Sequence, residues 1–308
     1  MKGMDLLQLR YFRVVARAEH MTRAAEELSI AQPSLSKTIG RLEAELGVPL
    51  FDRQGRQLRL NRFGRAFLAR VEPALRGLDE GRREVRDLAG LARGEVRVAA
   101  PSLHWLPDLV GGFLAAHPAV RVRLFQQAAR EMRRQLDAGD IDLYFSSVHP
   151  DRPGVEWRPL HTAEILLVVP PGHRFVGRGS VPLREVAGEG VVIGKAGDEL
   201  RDAMEAYCRQ AGFALGVVCE ADEPAAIRGF VDAGLGVAFI PAWARPPAGD
   251  ASGTWLRVTD PVCPHTLGLA WDDDHYLSQA ARAFREFAVA YFAAPENEGR
   301  SPAPDVVP

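Results

Sequence analysis

The chain has 308 residues, of which 47% are hydrophobic, and its formal net charge is −2. A chain of this length usually folds into about two domains, and no part of it approaches the roughly 18 consecutive apolar residues that cross a membrane. Its three cysteines are odd in number and too scattered for a metal site, so we expect buried free thiols, no bound metal and a reducing, cytoplasmic location.

Two short amphipathic patterns open the chain. The first follows Met1–Asp5 directly, so we expect no signal peptide, and its apolar positions have helical spacing. These positions are Leu6, Leu9, Phe12, Val15 and Ala16. The second pattern comprises Ala24, Ala25 and Leu28, and we predict Thr22 as the N-cap of its helix.

A third pattern predicts a helix that begins near Gln32 and ends at Gly47. Pro33 suits the first turn, where its missing N–H is no loss, and Gly47 is a common residue at a helix end. One face carries the apolar residues Leu35, Ile39, Leu42 and Leu46. The other faces carry Ser34, Ser36, Lys37, Thr38 and Arg41.

A basic loop with a central glycine follows this helix and contains Arg53, Arg56 and Arg59. Two short helices around a turn, the second with an exposed polar face, fit a DNA major groove. A hairpin with three arginines can reach the phosphates beside that groove. The pattern therefore predicts an amino-terminal winged helix-turn-helix, all-α with a β wing. The alternative is a helical corner of an unrelated soluble domain.

Four segments of this region closely resemble the amino-terminal domain of LysR-type transcriptional regulators. The segments are Met4–Phe12, Thr22–Leu28, Ala31–Lys37 and Arg41–Arg53. The resemblance implies a DNA-binding domain over residues 4–61, and it makes Met4 an alternative start to Met1. Family members commonly have serine at the position of Ala31 and arginine at that of Lys37. The first difference weakens the helix cap, and the second removes a two-pronged donor while keeping the charge.

The recognition-helix pattern predicts which residues contact double-stranded DNA. We expect Gln32, Pro33, Ser36 and Lys37 to meet base edges, and Arg53 and Arg56 to bind the backbone or minor groove. Further predicted contacts are Thr22, Arg23, Ser34 and Arg41. The charge distribution agrees, because residues 1–93 carry a net charge of +6 and the remainder carries −8.

Residues 62–92 form the next predicted segment, a long linker helix. Its apolar residues follow a heptad-like spacing: Phe67, Val71, Ala74, Leu78, Val85 and Leu88. In the family this helix pairs with that of a second subunit, which the spacing supports. Pro73 and Gly81 predict a kink or a weak turn. The alternative is that the stripe packs on the chain's own domain.

Beyond Gly94, strand and helix patterns alternate, which predicts an α/β domain with a mostly parallel sheet. Three segments (Gly94–Val98, Gly139–Leu143 and Ala233–Pro241) resemble the effector-binding domain of the same family. That resemblance implies residues 93–293 as two lobes, shaped like a periplasmic substrate-binding protein. We expect one lobe over 94–147 with 265–293 and the other over 148–264. The proline-rich tail, 294–308, is predicted to be disordered.

Ligands of such folds bind in the cleft between lobes, at strand carboxyl ends and helix amino termini. Ser102 is also a plausible helix cap and anion-binding hydroxyl. The candidate effector-binding residues are Ser102, Leu103, His104, Ser146, Ser147, Gly194, Lys195, Glu223 and Ile240. For Lys195, the only lysine after residue 37, binding of a carboxylate or phosphate and simple solvation remain open.

Other functional classes lack their sequence signatures. There is no Gly-x-Ser-x-Gly elbow, phosphate-binding loop, Cys-x-x-Cys or paired histidine motif, so we expect no catalytic residues and no cofactor. A solute-binding protein fits the carboxyl-terminal part but not residues 4–60, and redox sensing by Cys208 or Cys219 is a further alternative. The expected partners are DNA, a small-molecule effector and a second copy in a dimer or tetramer, with RNA polymerase as another candidate. Effector identity, target promoters and the choice between activation and repression stay open.

Overall fold

The computed structural model describes residues 4–54, 57–89, 94–245 and 253–294. The chain divides into two compact units, Met1–Leu88 and Ala89–Pro308. The predicted disordered tail falls outside the described residues from position 295 onward.

The described part of the first unit contains four helices and a two-stranded hairpin. In chain order they are α1 (Leu6–Ala18), α2 (Met21–Glu27), α3 (Gln32–Leu46), β1 (Phe51–Gln54), β2 (Gln57–Leu60) and α4 (Arg62–Leu88). The hairpin strands are antiparallel, with Phe51 opposite Leu60 and Gln54 opposite Gln57. The described elements thus follow the predicted order, and the tip of the hairpin falls outside the described residues.

One apolar core joins these elements. Leu35, Ile39 and Leu42 of α3 are buried together with Phe12 and Val15 of α1. The predicted stripes are thus confirmed except at Leu6, which is 40% exposed. The Phe12 ring lies 5.7 Å from that of Phe51, measured between centroids. Because Phe51 opens β1, this contact packs the hairpin against the helices.

Capping residues define where the first three helices begin and where α3 ends. Asp5 caps α1 in a reciprocal capping box with Gln8. The N-cap of α2 is His20, whose ring nitrogen accepts from the backbone N–H of Arg23. The prediction of Thr22 as this cap is therefore wrong, because α2 begins one residue before Thr22. Ala31 caps α3 without a side-chain hydrogen bond, and Gly47 ends it at a φ of 72°.

Helix α4 is continuous through Pro73 and Gly81, although the sequence predicted a kink or a weak turn there. Val71 and Leu75, on either side of Pro73, are buried in the core of the first unit. Ion pairs to α1 flank the same stretch, with Arg17 3.4 Å from Glu72 and Arg10 2.9 Å from Asp79. Such tertiary contacts offset the backbone hydrogen bond that a proline removes.

The second unit alternates strands and helices. Its first part comprises β3 (Glu95–Ala100), α5 (Pro107–Ala116), β4 (Arg121–Gln126), α6 (Ala129–Asp137), β5 (Leu143–Ser146) and β6 (Val155–Val169). Its middle part comprises β7 (Ser180–Pro182), β8 (Val191–Ile193), α7 (Glu199–Gln210), β9 (Val217–Glu220), α8 (Pro224–Asp232) and β10 (Ala238–Pro241). Its last part comprises β11 (Thr254–Thr259), β12 (Pro264–Asp272) and α9 (Gln279–Ala293).

Within the described ranges, the main sheet of this unit has eight strands in the order β4-β3-β5-β12-β6-β11-β7, with β10 also paired to β6. Strand β3 is parallel to β4 and β5, whereas β12 is antiparallel to β5 and β6. Strands β10 and β11 are antiparallel to β6. The α/β class is confirmed, but the sheet is mixed and not mostly parallel, because β6 and β12 are antiparallel to each other and to further neighbouring strands.

Among the described residues of this unit, the two largest apolar cores lie along the sheet, and we name the elements around them the first and second lobes. The first core joins β3, β5, β12, α5 and α9, and the second joins the end of β6 to β8, β10, β11 and α7. Residues Val155–Glu164 of β6 pair with β12, and Ile165–Val169 pair with β10 and β11. The expected limit at residue 148 would instead place all of β6 in the second lobe.

Candidate functional site

The polar face of α3 is the most distinctive surface of the first unit. Gln32, Pro33, Ser34, Lys37 and Arg41 are exposed, and Ser36 is half-buried. The opposite face is the buried stripe of the core. Since the apolar face anchors the helix, its polar face is free to enter a groove about the width of an α-helix.

The neighbouring helix α2 carries two further predicted contacts. Thr22 and Arg23 are both exposed in its first turn. The backbone N–H of Arg23 is held by the His20 ring at 3.4 Å, so its side chain extends from a capped helix start. Helix amino termini are favourable places for phosphate oxygens.

Buried polar contacts fix the hairpin against α3. The Glu43 carboxylate of α3 accepts from the backbone N–H of Leu50 at 2.7 Å, and Asn61 donates to the carbonyl of Pro49 at 2.8 Å. Gly64 lies so close to the Leu50 carbonyl that a β-carbon there would collide with it. Arg53 lies in β1 opposite Leu58, and Arg56 falls outside the described residues, so the predicted roles of these two arginines stay predictions.

In the second unit, the loop after β3 holds the first group of predicted effector residues. Ser102 and Leu103 are half-buried and His104 is exposed. The Ser102 hydroxyl lies 2.5 Å from Nδ1 of His104. The prediction of Ser102 as a helix cap is wrong, because α5 begins at Pro107 and its N-cap is Leu106.

The loop after β5 makes the most direct contact between the lobes. Glu199 of α7 accepts from the hydroxyl of Ser146 at 2.6 Å, and from the backbone N–H and hydroxyl of Ser147 at 2.6 and 2.8 Å. Both serines were predicted, but Glu199 was not. Its only sequence signal was its place directly after the loop Gly194–Asp198.

That loop of the second lobe is held by its own ionic network. Lys195 lies 3.0 Å from Asp222, and both side chains are more than half exposed. Arg201 donates to the Gly194 carbonyl at 3.2 Å and to Glu220 at 2.6 Å. Hydrogen bonds to Glu205 and Glu220 raise the pKa of Arg201. The anion that pairs with Lys195 in this structure is thus a side chain of the same lobe.

The two remaining predicted residues lie on neighbouring elements. Glu223 is the exposed N-cap of α8 and makes no capping hydrogen bond with its side chain. Ile240 is half-buried in β10 and packs beside Val168 and Val231. Neither contacts Glu199 or the serine pair through a hydrogen bond that the described residues reveal.

The cysteines give redox sensing no support. Cys208 and Cys263 are completely buried in the second core, and burial raises the pKa of Cys208 to about 12 and that of Cys263 to about 11. A reactive thiol needs a lowered pKa and access to solvent. Cys219 is half-buried. Among the described residues, no group of three or more His, Cys, Asp or Glu residues could hold a metal ion.

No helix in the described ranges is both long and apolar enough to span a bilayer.

Two family models match the two units. Residues 6–65 match the bacterial regulatory helix-turn-helix protein, lysR family, and residues 89–293 match the LysR substrate binding domain.

Curated relatives match over nearly the whole chain. The HTH-type transcriptional regulator YybE of Bacillus subtilis is 36% identical, with 94% of this chain and 100% of the relative covered. The transcriptional dual regulator GltC of the same organism is 30% identical, with 94% and 98% covered.

Solved structures of similar proteins include full-length chains. CbnR, described as a LysR family transcriptional regulator, has a TM-score of 0.66 at 25% identity, with 94% of this chain and 100% of CbnR covered. Full-length CbnR in complex with its target DNA has a TM-score of 0.64 at 25% identity, with 92% and 99% covered.

Proposed function

The chain belongs to the LysR family of transcriptional regulators, and from this premise we propose how it binds DNA, assembles and responds to an effector. In this chain a helix-turn-helix domain precedes a substrate-binding domain. The function is therefore that of a LysR-type DNA-binding transcriptional regulator.

The polar face of α3 carries the proposed base contacts. Gln32, Pro33, Ser36 and Lys37 read base edges in the major groove, since they lie opposite the buried stripe of the same helix. Thr22, Arg23, Ser34 and Arg41 surround them and position the domain on phosphates. Arg53 and Arg56 of the hairpin bind the backbone or minor groove beside the helix.

The outer half of α4 supports the assembly of a dimer. Leu78, Val85 and Leu88 are 53, 65 and 80% exposed, although they continue the heptad-like stripe that Phe67 and Val71 begin inside the core. A helix that exposes such a stripe is stabilised when it pairs with a second apolar helix. A tetramer through the second units is the larger assembly that we propose.

A small-molecule effector binds the second unit where the loops after β3, β5 and β8 meet. Ser102, Ser147 and Gly194 supply polar atoms there, and Leu103 and Ile240 supply apolar ones. An effector changes DNA binding only when it binds one lobe arrangement better than another. We propose domain limits of 4–61, 62–92 and 93–293 for these three roles.

The remaining proposals concern the location of the protein in the cell, its lack of catalytic activity and a further partner. We place the protein in the cytoplasm, where its operator DNA lies, and we propose no catalytic activity, since the relatives are transcriptional regulators. RNA polymerase is a proposed partner at promoters, through a surface that is not assigned.

Substitution of two basic residues tests the DNA contacts. Lys37→Ala should change the preference among operator variants by about 1–3 kcal/mol for a good base contact. Arg53→Ala should weaken binding to all sequences alike. It should also reduce the slope of log K against log salt concentration by about one, as expected for the loss of one phosphate contact. Arg70→Ala, which removes an exposed charge from α4, is the control. Equal effects of Lys37→Ala on every operator variant would contradict base reading by α3.

A further inference from the structure

Glu199 joins the second lobe to the first through side-chain hydrogen bonds. It is the first residue of α7, whose Met204 and Cys208 are buried in the second core. Its carboxylate accepts three hydrogen bonds of 2.6 to 2.8 Å from Ser146 and Ser147. Those serines follow β5, which belongs to the first core.

The serine loop has the donors of a carboxylate-binding pocket. One carboxylate oxygen lies 2.6 Å from the hydroxyl of Ser146, which also lies 2.9 Å from the Val148 carbonyl, and the other receives both the hydroxyl and the backbone N–H of Ser147. Three donors on two oxygens match the acceptor capacity of an ionised carboxylate, and such charge-assisted bonds are the stronger kind. The pocket is built into the fold, because Ser146 is only 2% exposed.

Packing behind the pocket keeps these donors in place. The Trp157 indole N–H donates to the carbonyl of Ser146 at 3.3 Å, and a β-carbon at Gly268 would collide with the Trp157 ring. Strand β12 therefore needs glycine at this position so that the ring can lie against the end of β5.

Helix α7 does not need Glu199 for its own start. Asp198 is its N-cap and accepts from the backbone N–H groups of Leu200 and Arg201. Burial raises the pKa of the Asp198 carboxyl, and the two capping bonds counteract that effect. Asp202, a second acid in the first turn, is exposed. The contact of Glu199 with the other lobe is thus a property of this residue and not of helix capping.

We propose that Glu199 is an intramolecular ligand of a carboxylate pocket formed by Ser146 and Ser147, and that it latches the two lobes until a small carboxylate ligand replaces it. This inference rests on the proposed effector response and names its ligand class. A tethered carboxylate has a high effective concentration at its pocket, so a simple carboxylate competes poorly with it. A natural ligand would need further contacts, which the loop Ser102–His104 can provide.

Removal of the tethered group and addition of a free one test the latch. Thermal unfolding of the full chain is measured for the wild type, Glu199→Ala and the matched control Asp202→Ala, in sodium acetate and in sodium chloride of equal ionic strength. Glu199→Ala should lower the Tm by several degrees. Acetate should then raise the Tm of this variant in a saturable way, without a comparable effect on the wild type or on Asp202→Ala.

The double variant Glu199→Ala with Ser147→Ala shows whether acetate acts at this pocket, because its response to acetate should be lost. Glu199→Gln provides a second variant of nearly unchanged shape, whose Tm should fall less than that of Glu199→Ala. The Ser146 hydroxyl can accept from the amide N–H₂ while it donates to the Val148 carbonyl, but the charge-assisted part of the contact is lost. A Tm of Glu199→Ala equal to that of Asp202→Ala, or an acetate response no larger than that to chloride, would overturn the proposal. No DNA is present in this assay, so its outcome is independent of the proposed operator contacts.

Discussion

At the scale of single residues, the start of α3 lacks a side-chain cap. Ala31 has extended φ and ψ angles of −68° and 130°, suited to a capping residue, but its methyl group accepts no hydrogen bond. Serine at an N-cap stabilises a helix by about 1 kcal/mol relative to alanine. A capping residue in place of Ala31 should therefore stabilise α3.

We predict that Ala31→Ser raises the midpoint of thermal unfolding of the first unit, by roughly 4–8 °C for each kcal/mol gained in a domain of this size. Ala44→Ser, an exposed position within α3, is the control and should be slightly destabilising, because serine has the lower helix propensity. Calorimetry of the full chain measures both. A decrease in stability for Ala31→Ser as large as that for Ala44→Ser would contradict the capping argument.

His265 links the stability of the second unit to pH. The residue is buried beside Trp243, with ring centroids 6.4 Å apart, and burial lowers its pKa to about 4. An unfolded histidine titrates near about 6.5, so between these two values the unfolded state binds more protons than the folded state. Stability is then fully present above pH 6.5 and is lost as the pH falls toward 4.

From these two values we predict a loss of about 2 kcal/mol in the free energy of unfolding between pH 7 and pH 5 from this residue alone. His265→Gln should remove that part of the pH dependence, whereas His149→Gln, at an exposed position, should leave it in place. Urea unfolding at the two pH values measures the difference. An unchanged pH dependence in His265→Gln would show that His265 does not titrate as its burial implies.

At the scale of elements, α4 has two different halves. Phe67 and Val71 pack in the core of the first unit, so the expectation of packing on the chain's own domain holds for the inner half. Leu78, Val85 and Leu88 of the outer half are exposed, as expected of a helix that pairs with a second subunit. One continuous apolar stripe is thus buried in the core of the first unit along its inner half and exposed along its outer half.

We predict that Leu78→Asp reduces the oligomeric state, since an unpaired charge in an apolar contact is costly. Ala69→Asp places the same charge at an exposed position of α4 that lies off the stripe, and it should keep the wild-type assembly. Light scattering at micromolar concentration compares the two variants. A monomeric wild type, or equal effects of both variants, would contradict pairing through the outer half.

Elements with a clear local period were predictable from the sequence, and elements defined by distant partners were not. The stripes of α1 and α3 lie within a few turns of one helix, so their buried faces could be read directly. The first half of β6 could not be predicted from its own sequence, because Pro159 and charged residues break its apolar pattern. Its partner β12, more than 90 residues later in the chain, decides its conformation.

The candidate sites also differ in how much of them the local sequence could predict. The exposed face of α3 followed from its own periodicity, and the structure places the predicted residues of α3 on that face. Lys195 was a candidate from its place in a predicted loop and its rarity in the sequence, and its partner Asp222 is a contact that only the folded second lobe creates. Glu199 was missed for a related reason, since its hydrogen bonds join residues more than 50 positions apart.

At the scale of the whole molecule, the charge is distributed as a DNA-binding regulator requires. The first 93 residues are basic and the remainder is acidic, so the domain with the exposed polar helix also has the favourable electrostatic attraction to phosphates. Pairing of two chains through α4 would present two copies of α3. Two-fold symmetric proteins bind half-sites about one helical turn of DNA apart, or multiples of it.

Selection of binding sequences from a random pool of double-stranded DNA by the purified full chain tests the central claim most directly. The account predicts that the selected sequences share a pair of short half-sites, related by two-fold symmetry and separated by about 10 base pairs or a multiple of this distance. A selected pool with no shared sequence, at salt concentrations where nonspecific binding is weak, would contradict the assignment of α3 as a helix that reads DNA.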